Sequence, residues 1–439
     1  MMQRYLLVFL AILAAVPAWG QTARITGIVT DSSDAVMQGV EVTATNTSTG
    51  VSRKAVSNDQ GNYSMPFLQP GPYRITAQAS GFKPLSRDGI TLVVDQVARI
   101  DIRMEVGQLT ETVEVKAEAT LVDSSNATLG VVVENRRVTD LPLNGRNALA
   151  LVMLTPAVVS LAGPTNSGFA NRGTALSAVS INGGPAVLNN YVLDGGNNNQ
   201  AQQSDINVQP AVDAVEEFKV QHNTMSAEYG FTAGGVVNVV TKSGTNQYHG
   251  TLYYFLRNDK LDSRNAFAQV RAPFRYNQFG GSLGGPLTLP GAYDGKNRSF
   301  FFANYEEWRY KRYDNPIFRV PTAEERAGDF SNLRAASGAL VTIYDPQTTR
   351  ANPAGSGFVR DAFAGNRIPA NRMDPVAKNI LPYYPLPNRP PTDPFTQANN
   401  YISNIDENQS MRQFTTKLDH RLTDRNSLFG RYTYYRHRT

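Results

Sequence analysis

The sequence predicts a mostly β protein with an N-terminal β-sandwich, a mixed α/β segment and a final run of long antiparallel strands. Three observations support this prediction. Apolar/polar alternations of period two recur along the chain, separated by turn residues. The composition suits β architecture, with 35 Gly, 20 Tyr and 20 Phe. No apolar stretch is long enough for a transmembrane helix, so any membrane crossing would use strands.

The composition also excludes several classes of protein. Of the 439 residues, 41% are hydrophobic and 18% are charged, which is too apolar for a disordered chain. The net charge of +5 is spread along the chain, so nucleic acid is not predicted as a partner. Cysteine is absent, which excludes disulfides, thiolate metal sites, cysteine nucleophiles and a lipoprotein anchor.

Residues 1–20 have the pattern of a secretory signal peptide. Arg4 supplies the positive charge, residues 5–16 are apolar, and Ala18, Trp19 and Gly20 form a small-residue cleavage site. The alternative is a membrane anchor, but a spanning helix needs about 20 apolar residues. We therefore expect an exported protein.

Residues 22–106 predict a two-sheet sandwich of short strands. The alternation is clearest at 40–44, 73–79 and 99–106, and turn residues lie between these runs at 59–62 and 69–72. The motif of this segment runs from Asp59 through Gly61, Tyr63, Phe67, Pro70, Gly71 and Tyr73 to Gly81 and Phe82.

That motif resembles the carboxypeptidase regulatory-like domain. The resemblance implies a non-catalytic accessory domain with a transthyretin-like fold, grouped among carbohydrate-binding sandwiches. Sugar binding therefore follows only by analogy of fold. A rigid spacer or docking module is the alternative that we favour.

Residues 107–243 predict a mixed α/β domain with long Asn/Gly-rich loops. Strands are expected at 111–115, 131–133, 214–220 and 236–240, and a short apolar stretch at 147–154 is stopped by Pro156. Gly234 and Gly235 precede the last strand, which predicts a tight turn or a close backbone approach.

Two strings in this segment resemble a receptor family. Glu228-Tyr229-Gly230 and the run 234–242 (GGVVNVVTK) are similar to the signature that closes the plug domain of TonB-dependent outer-membrane receptors. The run 141–147 (LPLNGRN) closely resembles a motif of the Oar-like subfamily, which carries the N-terminal sandwich. The resemblance implies that residues 107–243 are a plug and that a β-barrel follows.

Residues 244–439 predict the first strands of a transmembrane antiparallel barrel. Strands are expected at 248–257, 277–287, 299–310, 413–422 and 428–435, and a Pro/Asn/Gly-rich loop at about 313–409 fits an extracellular position. Phe414, Leu418 and Leu422 share one face of their strand, and Lys417 and Asp419 lie on the other. A soluble antiparallel sheet would also alternate. A barrel that holds a plug has about 22 strands, so the sequence predicts an incomplete barrel and a fragment of a longer receptor.

The segment between sandwich and plug resembles a TonB box. Its residues are Glu111, Thr112, Val113, Glu114 and Val115. The resemblance implies that TonB binds here, and an extended segment of this kind can add to a partner's open sheet edge. Glu114 departs from the family's pattern by adding a second charge, and a simple inter-domain strand is the alternative.

The ligand-facing candidates lie in the loops at 181–200 of the plug and at 313–409. The plug candidates are Asn182, Asn190, Tyr191, Asp194 and Asn197. A carbohydrate, a siderophore or a similar molecule would suit such a receptor, and no residue set selects among them.

Enzymatic chemistry is not predicted. His222, His249, His420 and His437 are scattered without metal-ligand spacing, so neither a metal nor a cofactor is expected. The run 280–284 matches G-x-S-x-G, but Gly285 and Pro286 follow it and argue against the helix that a nucleophile elbow needs. We expect a barrel strand there.

The sequence therefore predicts a receptor that binds a ligand at the cell surface and imports it with energy passed through TonB. It would lie in the outer membrane, in contact with lipid, with its N-terminal domain in the periplasm. The alternative is a secreted or surface carbohydrate-binding or adhesion protein without transport activity.

Overall fold

The computed structural model describes residues 23–107, 113–116, 129–141, 143, 145–160, 179–200, 206–223, 225, 229–230, 232–264, 271, 273–423 and 426–438. The predicted signal peptide, Glu111 and Thr112 lie outside the described residues. The chain forms two compact units, one of residues 1–256, 277–309 and 409–438 and the other of 257–276, 310–408 and 439. Among the described residues, no helix has the length and apolarity needed to cross a bilayer.

The N-terminal segment is a sandwich of two sheets. Its strands are β1 (Ala23–Thr30), β2 (Glu41–Asn46), β3 (Ser52–Val56), β4 (Asn62–Leu68), β5 (Gly71–Gln78), β6 (Leu85–Leu92), β7 (Val97–Arg99), β8 (Ile102–Arg103) and β9 (Val113–Lys116). One sheet has the order β4-β1-β7, with β8 also paired to β1, and the other has the order β3-β2-β5-β6-β9. Alternate residues such as Val42, Ala44, Ile75 and Ala77 are fully buried between the sheets.

The alternation at 99–106 predicts one continuous strand, and this prediction is wrong. The structure has only β7 and β8 there, because the carboxylate of Asp101 accepts the backbone N–H of Ile28 at 3.0 Å and interrupts the ladder. The burial pattern nevertheless survives, since Ile100, Ile102 and Met104 remain in the core. Val106, which the alternation assigned to the same face, is 69% exposed.

The second segment is built on a mixed five-stranded sheet. Its strands are β10 (Leu129–Glu134), β11 (Val158–Ser160), β12 (Val179–Ile181), β13 (Asn190–Leu193), β14 (Gly196–Asn197), β15 (Val215–Asn223) and β16 (Val236–Thr241). The helices are α1 (Asn135–Asp140) and 3₁₀ turns at Ala148–Leu154, Ala186–Leu188 and Val212–Ala214. The sheet order is β10-β15-β16-β13-β14, with β13 and β16 parallel and the other pairs antiparallel.

The glycine pair before β16 has the close contacts that its sequence predicts. A Cβ on Gly235 would lie 2.8 Å from the carbonyl oxygen of Gln221 and 2.5 Å from Cγ2 of Ile181. A Cβ on Gly234 would lie 2.2 Å from Oδ1 of Asn189. Any side chain at these positions would push β16 away from its neighbours.

The third segment is an open sheet of long strands. The elements are β17 (His249–Asn258), β18 (Phe274–Pro286), β19 (Ser299–Asp314), β20 (Ile317–Phe318), β21 (Arg350–Ala351), β22 (Phe358–Val359), β23 (Tyr401–Ile402), β24 (Ile405–Arg421) and β25 (Ser427–Arg438). The order of the long strands is β17-β18-β19-β24-β25. Short helices are α2 (Ala323–Arg326), α3 (Pro375–Ile380) and 3₁₀ turns at Asp259–Leu261, Pro346–Thr348, Ala364–Asn366, Ala370–Arg372 and Leu381–Tyr383. The G-x-S-x-G string therefore lies inside β18 and not at a strand-to-helix turn.

The burial of β24 is inverted relative to a soluble sheet. Phe414, Leu418 and Leu422 are 38%, 50% and 53% exposed, whereas Lys417 and Asp419 are 6% and 7% exposed. In water this arrangement would expose apolar side chains and bury charged ones, which costs free energy on both faces. In a bilayer the apolar face contacts lipid. The inversion therefore decides between the soluble and the membrane interpretation in favour of the membrane.

Candidate functional site

Strands β15 and β16 have one apolar face and one face on which polar side chains predominate. Phe218 and Val220 of β15 lie opposite Val239 and Val237 of β16, and all four belong to the apolar core of this domain. The polar residues of the opposite face form what we call the docking face; they are Glu217, Lys219, Gln221 and Asn238, and they share that face with Val236 and Val240. All four of these polar side chains are buried. Buried polar groups need partners, so the docking face must be covered by polar groups of another element.

That element is a loop of the N-terminal sandwich, residues 93–96, which we call the docking loop. One carboxylate oxygen of Asp95 accepts hydrogen bonds from Gln221 Nε2 at 3.2 Å, from the Tyr229 hydroxyl at 2.7 Å and from Asn238 Nδ2. The backbone carbonyl of Asp95 accepts from Lys219 Nζ at 3.0 Å. Tyr229 belongs to the Glu-Tyr-Gly string of the sequence, and this contact gives that tyrosine a physical role.

Glu217 completes the contact at the other end of the docking face. Its carboxylate accepts the backbone N–H of Val94. Burial is the largest cause that raises the pKa of Glu217 to about 7; the bond from Val94 opposes the change, and the neighbouring carboxylates Glu216, Glu134 and Asp95 add to it. The docking face therefore contains a group that titrates near neutral pH.

Asp194 lies in a second polar contact, between the plug segment and the long strands. Asp194 and Gly195 form a two-residue hairpin turn with φ of +48° and +83°. The Asp194 carboxylate accepts from the Thr241 backbone N–H at 2.9 Å and from its hydroxyl at 2.6 Å. It also pairs with Lys417 Nζ at 3.4 Å and Arg431 Nε at 2.8 Å, on β24 and β25. Because the Asp194 side chain is only 4% exposed, these ion pairs are nearly dehydrated.

The structure divides the other ligand-facing candidates. Asn182 and Asn197 are exposed, and Asn190 is half-buried with its amide donating to the Gly230 carbonyl at 3.1 Å. Tyr191 is 2% exposed and packs in the core of the domain. Burial favours a structural role for Tyr191 and Asp194, and ligand contact by the three asparagines stays a prediction.

The described part of the TonB-box candidate is a strand. Val113, Glu114 and Val115 lie in β9, which runs parallel to β6 with Val113 opposite Leu85 and Val115 opposite Arg87. Within the described residues β9 is the last strand of its sheet. One of its backbone edges is therefore paired, and the other is the edge to which a partner strand could add.

The 141–147 motif contacts β17 through Arg146. The sequence alone suggested no mechanism for this motif. The Arg146 guanidinium forms an ion pair with Asp213 and stacks over the rings of Tyr253 and Phe255 at 4.7 and 4.4 Å. Asn147 is 1% exposed and caps the following 3₁₀ turn by accepting from the Leu149 N–H at 3.1 Å. Only the tertiary structure shows that Arg146 joins two segments.

Comparison with known proteins agrees with this arrangement. The family model described as "Outer membrane beta barrel domain" matches residues 240–439, and "Carboxypeptidase regulatory-like domain" matches residues 24–105. The TonB-dependent transporter Oar of Myxococcus xanthus is 28% identical over 66% of this chain and 27% of its own length. These matches support the resemblance of the chain to the TonB-dependent outer-membrane receptors.

Further receptors of this family are also similar. The ferric enterobactin receptor of Pseudomonas aeruginosa is 29% identical over 32% of this chain and 19% of its own length. A crystal structure of that receptor, a mutant in complex with enterobactin, covers 70% of this chain and 33% of its own, with 16% identity and a TM-score of 0.36. The chain thus spans about a quarter or less of the length of these two curated relatives.

These relatives are transporters and receptors, and none of the three curated matches is an enzyme. The predicted family, the mostly β fold class and the outer-membrane location are confirmed. The comparisons give no support to the alternative of a secreted adhesion protein.

Proposed function

We propose that this chain belongs to a receptor that binds a ligand at the cell surface and imports it into the periplasm with energy passed through TonB. The inverted burial of β24 carries the proposal, because strands with a lipid face contact the plug segment through polar pairs such as Asp194 with Lys417. Its relatives include a ferric enterobactin receptor and a probable siderophore receptor. Ferric siderophores are therefore the ligand class to test first.

The connections between the long strands support a periplasmic position for the sandwich. Barrels of this type have short periplasmic turns and longer extracellular loops. Here the connections at 287–298 and 422–426 are short, and the connection at 315–404 is long. The sandwich contacts the short side, since the Asn246 N–H donates to the Ser48 carbonyl at 3.0 Å and Gln69 donates to Asp419 at 3.3 Å.

We further propose that the segment 111–115 binds TonB by strand addition along the edge of β9. The Val113→Pro variant removes one backbone N–H and should abolish binding of the purified periplasmic domain of TonB to the full receptor. Val113→Thr is the matched control, because it keeps both the N–H and the β-branched shape. Outer-membrane amounts of both variants should equal those of the native receptor.

Uptake of radiolabelled ferric enterobactin by cells then tests the transport step. It should require TonB, and it should fall to background with Val113→Pro and stay normal with Val113→Thr. Undiminished TonB binding and uptake with Val113→Pro would show that β9 is only an inter-domain strand.

A further inference from the structure

The docking face is a group of buried polar side chains, and Val236 and Val240 lie beside them on the same face of β16. Glu217, Lys219, Gln221 and Asn238 are 6%, 7%, 2% and 0% exposed. Their cover is the docking loop and the Tyr229 hydroxyl. Hydrogen bonds of this kind contribute far less net free energy than they would in isolation, because water replaces the partner when the surfaces separate.

The sandwich and the plug segment have separate apolar cores. The core of the sandwich contains residues from Ala23 to Met104, and the core of the plug segment contains residues from Val133 to Val239. The two described clusters share no residue. The sandwich can therefore leave the docking face without exposing either core, which is the costly step in separating most domains.

The sandwich also contacts the long-strand segment, and this contact is incompletely packed. It includes the bonds from Asn246 to Ser48 and from Gln69 to Asp419. A cavity of about 70 Å³ remains beside them, lined by Phe67 of the sandwich and Phe300 of β19 among others. Interfaces with this character resemble transient protein–protein contacts and not permanent ones.

We propose that the sandwich is a removable cap on the plug, closed by the contacts of Asp95 with the docking face and able to open as a folded unit. This inference rests on the proposed function only in that the 107–243 segment is a plug. Because β9 pairs with β6 of the same sandwich, it moves with the sandwich. Opening frees Glu217, Lys219, Gln221 and Asn238 of β15 and β16.

Hydrogen exchange of the full receptor in detergent or membranes measures the opening directly. The Asp95→Ala variant removes the acceptor of three side-chain bonds, and it should raise exchange at 93–96 and along β15 and β16 tenfold or more. Exchange in the sandwich core strands β2 and β5 should stay unchanged. The matched control is Asp59→Ala, in an exposed turn of the same sandwich.

A thiol lock provides the opposite perturbation. The chain has no cysteine, so the pair Ser48→Cys and Asn246→Cys introduces its only thiols. The backbone hydrogen bond between these residues brings them within the range that a disulfide spans. The oxidised pair should lower exchange at 93–96 and along β15 and β16, and reduction should restore the native rate.

Two outcomes would overturn the proposal. Equal exchange in Asp95→Ala, Asp59→Ala and the native receptor would mean that these contacts do not close a cap. Loss of protection in β2 and β5 together with β15 would mean unfolding and not uncapping. If Asp95→Ala gives that loss, Asp95→Asn, which keeps the side-chain volume but removes the charge that strengthens the three bonds, must raise exchange of the docking loop and leave β2 and β5 protected. None of these measurements depends on ligand uptake, so failure of the proposed transport function would be seen separately.

Discussion

The titration of Glu217 gives the contact between sandwich and plug a specific dependence on pH. Glu217 is covered by the docking loop, and its pKa is raised to about 7 from the ordinary value of 4.5. A raised carboxyl pKa means that the closed state binds the proton more tightly than the open state. Closure is therefore strongest below about pH 4.5, weakens as the pH rises towards 7, and is constant above that.

The size of this effect follows from the two pKa values. The difference between about 7 and 4.5 corresponds to about 3 kcal/mol, or a change of roughly three-hundredfold in the opening equilibrium. This is an upper limit, because strands of the plug segment itself bury part of the Glu217 side chain. The groups that face it are the carboxylates of Asp95, Glu134 and Glu216. Lys219 lies on the same docking face.

Hydrogen exchange of the docking loop at pH 5 and pH 8, corrected for the intrinsic exchange rate, measures the opening equilibrium. The native receptor should open more readily at pH 8, by tenfold to a hundredfold. Glu217→Gln keeps an acceptor for the Val94 N–H and cannot ionise, so it should stay closed at both values. A native opening constant that is the same at pH 5 and pH 8, or a pH dependence that persists in Glu217→Gln, would refute the reasoning.

Three further predictions concern the contacts between segments and the lipid face. Asp194→Ala leaves the buried Lys417 and the half-buried Arg431 without their carboxylate and should lower the free energy of unfolding in urea by about 3 kcal/mol or more, whereas Asp140→Ala, at an exposed ion pair, should change it by less than about 0.5 kcal/mol. Arg146→Lys loses the planar stack over two rings and should cost about 1–2 kcal/mol in the same assay; an unchanged midpoint would contradict the stacking argument. Phe414→Arg places a charge on the lipid face and should cost up to about 2–4 kcal/mol, seen as less receptor inserted in outer-membrane fractions; native levels of insertion would contradict the assignment of that face.

Local pattern was sufficient for most of the strands. The apolar run before Thr241 became β16, and the expected hairpin at 413–435 became β24 and β25, both longer than predicted. The alternation of β24 also assigned Phe414 and Lys417 to opposite faces. It could not say which face met water, because a soluble sheet and a membrane strand share the same period. Burial of the charged face decided that question.

The site residues were harder to predict because their roles depend on contacts between distant segments. Asp194 was expected to face a ligand, since an Asp-Gly turn in a polar loop is usually exposed, yet it is buried against cations more than two hundred residues away. The sequence gives no sign of the role of Asp95, because it is one acidic residue in a turn between two strands. A weak signal existed in Asn238, a polar residue in the middle of an apolar strand, which indicated that one face of β16 meets polar groups.

The sequence by itself determined the family, the order of the segments and the positions of the strands, because these depend on short motifs, turn residues and period-two alternation. Only the tertiary structure decided which polar residues meet: Asp95 with the docking face, Asp194 with Lys417 and Arg431, and Arg146 with the rings of Tyr253 and Phe255. The sequence around a single carboxylate or guanidinium does not indicate which distant residue it will contact. Its partner is set by how the folded segments pack, and burial then makes the pairing necessary.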